Sequence, residues 1–331
     1  MTTIQRFAIP VGAGVASALL FALTVKGTPV AVALAYLAPL PLMIAALGWG
    51  ALGGLLAGGL AAGALAAIFD VQGALVFLLA IALPAWLLPS LAIAPRYAPP
   101  WRRPAAAAAE PPQRTPVGVV VTVAAALGAF AGLAGLATLI VGHSGYDAGL
   151  NALIGELTPA IEQTLDGVVS LPDGVTARDV AEEVAKLAPL ATATLGFLTL
   201  CFNLYLAARS TALSHRLPRP WPDLPTEFVL PRWLGLVAVA AVGTAIALPE
   251  PIDQFAWVFA GPLSAAYALQ GLAVLHALSR GLPFRPLLIA VLYFCCGYRA
   301  HMALPLVAVV GLIDSAANLR ARAAATRRSK V

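Results

Sequence analysis

Long apolar blocks, each close to twenty residues, govern what this chain can become. They run at 7–25, 30–48, 50–69, 74–94, 117–141, 189–208, 232–249 and 255–279, with a last apolar stretch at 286–316. Twenty helical residues rise about 30 Å, the thickness of a bilayer's hydrocarbon core. Soluble domains carry about 25% charged residues, enough to cover their surface. Here 11% of residues are charged and 60% hydrophobic. In water such a chain exposes large apolar patches, whereas lipid asks for an apolar exterior. Inside the hydrocarbon every backbone N–H and C=O must be paired within the protein, which a single segment achieves only as a helix. Barrel strands would instead show short segments of alternating polarity. The expectation is an all-α, polytopic transmembrane helical bundle of about eight to ten spans, in contact with the lipid bilayer.

The charges orient it. Arg6, then Arg96, Arg102, Arg103 and Arg114, then Arg209, Arg216, Arg219 and Arg232, then Arg280 and Arg285, and finally Arg320, Arg322, Arg327, Arg328 and Lys330 all fall on one side of the blocks. Lys26, Arg178 and Lys186 fall on the other. Under the positive-inside rule the first side is cytoplasmic, and both termini lie there. This arrangement fits a multi-pass protein of a bacterial inner membrane. Arg6 followed by an apolar run also begins a signal-peptide pattern, but 7–25 is long and no small-x-small cleavage site follows, so a retained first helix is expected. The stretch 286–316 is one span or a hairpin turning at 298–301. A single span puts Arg299 at mid-bilayer, at about 2.5–3.5 kcal/mol on insertion scales. The hairpin avoids that, returns the basic tail inside and is the favoured arrangement.

Four regions follow: an N-terminal four-helix half at 1–94, a cytoplasmic Ala/Pro-rich linker at 95–116, a C-terminal half at 117–319, and a basic tail at 320–331. The C-terminal half contains an extracytoplasmic loop, 142–188. There Leu150, Leu153, Ile154, Leu157, Ile161 and Leu165 recur at helical spacing. Thr176 with Asp179 forms a capping box ahead of Val180, Val184 and Leu187. Two amphipathic helices are expected, at 147–165 and 176–188, either as a packed cap or as a gate.

The candidate functional residues are polar groups within apolar blocks. Asn203, Gln270, Arg299 and His301 are the ligand-binding candidates, because ionisable and amide groups at membrane depth tend to face a bundle interior or a cavity. Snorkelling of Arg299 to the interface is the plainer alternative. Asp314 is placed to pair with Arg320 or Arg322, and Asp70 to make a turn. The GxxxG pairs Gly54/Gly58, Gly59/Gly63 and Gly128/Gly132 are helix-packing candidates, within the chain or against other membrane subunits. Pro39, Pro41, Pro84, Pro89, Pro262 and Pro305 predict kinks with freed carbonyls. Cys201, Cys295 and Cys296 are expected as small core residues. No phosphate-binding GxxxxGK[ST], HExxH or GxSxG motif occurs, and no Cys/His set has metal spacing. The expectation is a non-enzyme without catalytic residues, cofactor or metal. The basic residues sit between membrane blocks, so nucleic acid is not an expected partner.

A resemblance rests on Pro39-Leu40-Pro41-Leu42, Asn203-Leu204-Tyr205-Leu206-Ala207-Ala208-Arg209, Leu230-Pro231-Arg232-Trp233-Leu234, Gln270-Gly271-Leu272-Ala273-Val274 and Gly311-Leu312-Ile313-Asp314 with Arg320 after it. In that order the chain resembles the YybS-like family of bacterial membrane proteins. That family is distantly similar to the membrane-embedded substrate-binding components of energy-coupling-factor vitamin transporters. The resemblance implies a small-molecule capture component that relies on separate ATPase and coupling subunits. A similar bundle occurs in the cell-shape protein MreD, so a scaffold in envelope or cell-shape assembly is the alternative.

Overall fold

A computed structural model describes residues 3–96, 113–165, 171–172 and 174–328. Residues 97–112 of the expected linker, and residues 166–170 and 173 between the two helices expected in 142–188, lie outside the described residues. The chain is built from helices: α1 (Thr3–Ala22), α2 (Pro29–Ala35), α3 (Pro39–Ile68), α4 (Val71–Phe77), α5 (Leu83–Ile93), α6 (Val117–Gly142), α7 (Tyr146–Leu165), α8 (Ala177–Leu213), α9 (Leu224–Glu227), α10 (Arg232–Ala247), α11 (Ile252–Leu278), α12 (Arg285–Tyr298), α13 (Ala300–Ala317) and α14 (Leu319–Arg328). Among the described residues, seven helical segments are long and apolar enough to cross a membrane, and α10 and α12 are shorter apolar helices. The expected all-α, multi-pass membrane architecture is what the structure shows. Pro95–Arg96 and Gln113–Arg114 pair as a two-residue antiparallel ladder, bringing the two ends of the linker together.

The local breaks have identifiable causes. Gly50, at φ 82° and ψ 175°, occupies a region open essentially to glycine alone. A Cβ on Gly54 would lie 2.7 Å from the Cβ of Ala46. Eight residues of continuous helix would separate those positions by about 12 Å. The two arms of α3 therefore fold back on each other at Gly50, where the boundary between 30–48 and 50–69 was expected. The expected helix at 30–48 is itself interrupted: α2 ends at Ala35 and α3 begins at Pro39. Pro39 and Pro41 lack N–H groups, so the helical ladder cannot run through here. The Leu40 N–H donates to Leu37 O instead of to Tyr36 O. Two other helices serve the interrupted carbonyls. Asn203 Nδ2 donates to Tyr36 O at 2.9 Å, and Ser17 Oγ donates to Ala38 O at 2.6 Å. Ahead of Pro84, a π-helical turn at Leu78–Ala82 adjusts the same kind of mismatch. Asp70 makes the expected turn, its carboxylate accepting from the Gly73 N–H as the N-cap of α4.

One expectation is corrected. The segment 176–188 is not a separate amphipathic helix; it is the first third of α8, which continues through Pro189 to Leu213. A proline removes one rung and leaves the rest of the ladder intact. The start of α8 does carry the expected capping box. Asp179 Oδ2 accepts from the Thr176 N–H, and Thr176 Oγ1 accepts from the Asp179 N–H.

Two compact units emerge. Unit 2 comprises 125–197 and 232–267. In it the apolar face of α7, through Leu150 and Ile154, packs on Leu136 of α6 and on Ala181 and Ala185 of α8. Gly149 permits the approach, since a Cβ there would sit 2.1 Å from Leu139 O. Helix α7 and the start of α8 thus pack on α6 within this unit. Burial pushes the Tyr146 hydroxyl up to about 12, with Glu250 and Asp253 adding to the effect. Gly128 and Gly132 seat α6 against α8: added Cβ atoms would lie 2.5 Å from Ala193 O and 2.7 Å from the Ala193 Cβ.

Unit 1 comprises 1–124, 198–231 and 268–331. Gly54 and Gly58 pack inside it, against Ala46 and Ala82, whereas Gly59 and Gly63 face open space. The chain breaks at Arg299, whose φ of −129° and ψ of 50° cap α12. A straight helix would carry Val307 about 21 Å beyond Tyr293. Their respective neighbours on α11, Gly271 and His276, are only five residues apart. The 286–316 stretch is therefore not one straight span; it turns where the hairpin was expected.

Candidate functional site

Gln270, on α11, is fully buried among helices. Its Oε1 accepts from the Leu230 N–H at 2.8 Å. Its Nε2 donates to Gly311 O, Asp314 Oδ2 and Ser315 Oγ at 3.1, 3.0 and 3.0 Å. Asp314, also buried, receives the Arg320 guanidinium from Nη2 at 2.6 Å and Nε at 3.1 Å. The same guanidinium reaches Pro225 O and Phe228 O at 2.9 and 2.8 Å. Arg320, one of the two expected partners of Asp314, makes the pair. A buried carboxylate is tolerable because the charge is both paired and hydrogen-bonded.

This network pins a loop. Residues 218–225 read Pro-Arg-Pro-Trp-Pro-Asp-Leu-Pro, and each proline fixes its own φ and restricts the residue before it. The loop is then tied at three points. Arg320 holds the carbonyls of Pro225 and Phe228, Gln270 holds Leu230, and Arg280 at the end of α11 grips Asp223 through two hydrogen bonds of 2.7 and 2.8 Å. Arg280 first, and then the Thr226 hydroxyl, hold the Asp223 carboxyl down at about 2. Glu227 turns back to accept from the Asp223 N–H at 2.9 Å, which closes α9.

The loop bounds a cavity of about 1080 Å³, inside unit 1, among α6, α8, α11 and α12. That lies at the top of the ~300–1,000 Å³ range of small-molecule sites. Val120, Val121, Phe202, Leu272 and Ala273 form apolar wall. The polar lining comprises Thr115, Arg219, Trp221 and Glu227, Thr199 and Tyr205 on α8, and the pair of His276 and Tyr293, joined at 3.1 Å. Among the described residues the Thr115 hydroxyl and the Trp221 indole N–H are enclosed without hydrogen-bond partners. Among the described residues Arg219 has no carboxylate partner. Phe202 and Tyr293 are 56% and 50% exposed, so the cavity is not sealed from the outer surface of the helices.

The expected ligand-binding residues stand elsewhere. Gln270 and its neighbours bond one another, which leaves it little capacity for a ligand. Asn203 is buried and directs its amide N–H groups to Tyr36 O and Thr199 O, supporting the interrupted helix. Arg299 and His301 are exposed, and the Arg299 guanidinium lies 5.2 Å from the Tyr298 ring centroid. Cys295, expected in the core, is exposed on α12, while Cys201 lines the cavity. Sequence reasoning missed Thr115, Arg219, Trp221 and Ala273. The one signal available was the tryptophan set among prolines in a loop.

A family described as "predicted membrane protein", DUF2232, matches residues 104–315. No curated protein and no solved structure matches the chain.

Proposed function

The chain belongs to the DUF2232 family of predicted membrane proteins, and from that premise we propose that it is a non-enzymatic, transport-related component that captures a small molecule in the cavity of unit 1. The observation that carries this reading is the cavity itself: large, mostly apolar, and bounded by a loop tied down at three points. Pre-organisation of that kind lowers the ordering cost of binding. The sequence resemblance to YybS-like proteins, and through them to substrate-capture components, supports the same reading. In this reading the protein is a multi-pass protein of a bacterial inner membrane, and the basic residues around the loop support a cytoplasmic side for it under the positive-inside rule, so the site loads or unloads from that side.

Ligand-dependent melting of the detergent-purified protein tests it. A panel of metabolites and lipids is expected to contain a member that stabilises by about 2.7 kcal/mol at a hundredfold excess over its Kd. Ala273→Trp, which narrows the cavity, is expected to reduce that shift. A panel without effect sinks the reading.

Scaffolding has one observation in its favour. Gly59 and Gly63 meet no atoms within 4 Å, and exposed Leu52, Leu55, Leu56 and Leu60 accompany them on α3. Lipid-facing GxxxG pairs let another helix approach closely. Co-purification of envelope-assembly proteins, lost on Gly59→Leu, would establish that role.

A further inference from the structure

We propose that the cavity's ligand is an anionic amphiphile, its acceptor-rich head at Thr115, Arg219 and Trp221 and its hydrocarbon tail along Val120, Val121, Phe202 and Leu272. The inference rests on the capture reading and names the ligand class it leaves open.

Donor chemistry carries the head assignment. An indole N–H and a guanidinium only donate, and a hydroxyl can donate. All three line the cavity from segments outside the long helices, Thr115 just before α6 and Arg219 and Trp221 on the loop after α8, without a partner among the described residues, and the two enclosed ones are a standing cost unless an acceptor meets them. Arg219 adds positive charge beside an apolar chamber, where attraction to an anion is stronger than in water. Glu227, the one acid on the wall, keeps its charge and is turned back to accept from the Asp223 N–H through Oε1, so Arg219 is the group left to meet an anion. Phosphate or carboxylate oxygens satisfy this donor set; a neutral hydrocarbon head does not.

Position carries the tail. Thr115 precedes α6 and the loop follows α8, so the donors lie at the helix ends on the basic face. Val121, Phe202 and Leu272 lie one to several turns inside their helices. A lipid in the adjoining leaflet has the same order, head at the interface and tail in the hydrocarbon. The exposed flanks of Phe202 and Tyr293 leave a lateral way in from that leaflet.

The experiment measures melting shifts of the full chain in neutral detergent with three probes: 1-oleoyl lysophosphatidate, 1-monoolein and inorganic phosphate. Lysophosphatidate is expected to stabilise the wild type. Arg219→Gln is expected to weaken it about tenfold, the low end for a charge-assisted hydrogen bond. Thr115→Val, which keeps shape, and Trp221→Phe, which keeps an aromatic ring, remove one donor each and weaken it by smaller factors, and Ala273→Trp reduces the shift. Monoolein matching lysophosphatidate, or Arg219→Gln without effect, overturns the anionic head while the capture reading stands. Phosphate alone matching lysophosphatidate overturns the tail and leaves a free-anion site. Equal stabilisation of Ala273→Trp and wild type removes the ligand from the cavity and overturns both. Failure of both amphiphiles overturns this inference only, and the wider panel then decides the capture reading.

Discussion

Gln270, Asp314 and Ser315 are polar residues in apolar helices, and so are Arg299 and His301, yet the two groups differ in kind. The first three are buried, and with Arg320 and the Leu230 N–H they form a connected set of hydrogen bonds. The second pair stands at an exposed break between α12 and α13, with one aromatic ring for company. On sequence alone Arg299 looks the more remarkable, because a cation in an apolar run is costly. The comparison teaches that cost follows enclosure. An exposed arginine at a chain break can reach water or headgroups, whereas an enclosed carboxylate must be held by a partner. The enclosed set has a second consequence: it fixes the loop that bounds the cavity.

The largest test of the contrast is Asp314→Ala against Arg299→Ala. Removing one partner of a buried pair strands Arg320 and is expected to cost about 3–5 kcal/mol. Removing Arg299 should stay within about 0.5 kcal/mol, as surface substitutions do. Thermal melting in one detergent checks both, and equal losses would break the comparison.

Backbone approach gives the next test. A Cβ on Gly271 would sit 1.9 Å from Val307 O, while Gly59 has open space around it. Gly271→Ala is expected to lose about 1–3 kcal/mol through forced displacement of α13. Gly59→Ala should be neutral or gain up to about 1 kcal/mol, since alanine is the better helix former. A loss at Gly59 would mean that its face is already covered, and would favour the scaffold reading.

The smallest effect belongs to the exposed tether, Asp223 with Arg280. The folded carboxyl is held at about 2, below the usual carboxylate value near ~3.9. Its contribution is therefore fully present above pH ~4 and is lost as pH falls through about 2. The melting-temperature gap between wild type and Asp223→Asn should be constant above that range, close toward pH 2, and shrink in high salt. A gap that widens on acidification would contradict the assignment.

Span positions were legible because lipid demands a long apolar run and a paired backbone, and both are local properties. The turn at Gly50, the break at Arg299, the Thr176–Asp179 box and the pairing of Asp314 with Arg320 were legible for the same reason: each joins residues within one or two turns. The continuity of α8 through Pro189 was not, because a proline marks a possible break and its surroundings decide whether one forms. The interruption at Tyr36–Ala38 was marked by Pro39 and Pro41, but its support by Asn203, far along the chain, was not legible. The cavity was least legible of all. Its walls come from the start of α6, the second half of α8, the end of α11 and the loop between α8 and α10, segments that share no periodicity. Asn203 and Gln270 were singled out as polar at depth, but burial alone does not separate a structural hydrogen bond from a ligand contact.

The most direct test of the cavity's role is native mass spectrometry of the protein extracted gently from its own membranes, with wild type, Arg299→Ala and Ala273→Trp run side by side. The account predicts a defined non-covalent adduct on wild type and on Arg299→Ala, and a diminished one on Ala273→Trp. An adduct undiminished on Ala273→Trp would put the ligand outside the cavity, one lost from Arg299→Ala alone would put it at the chain break, and either would contradict the account.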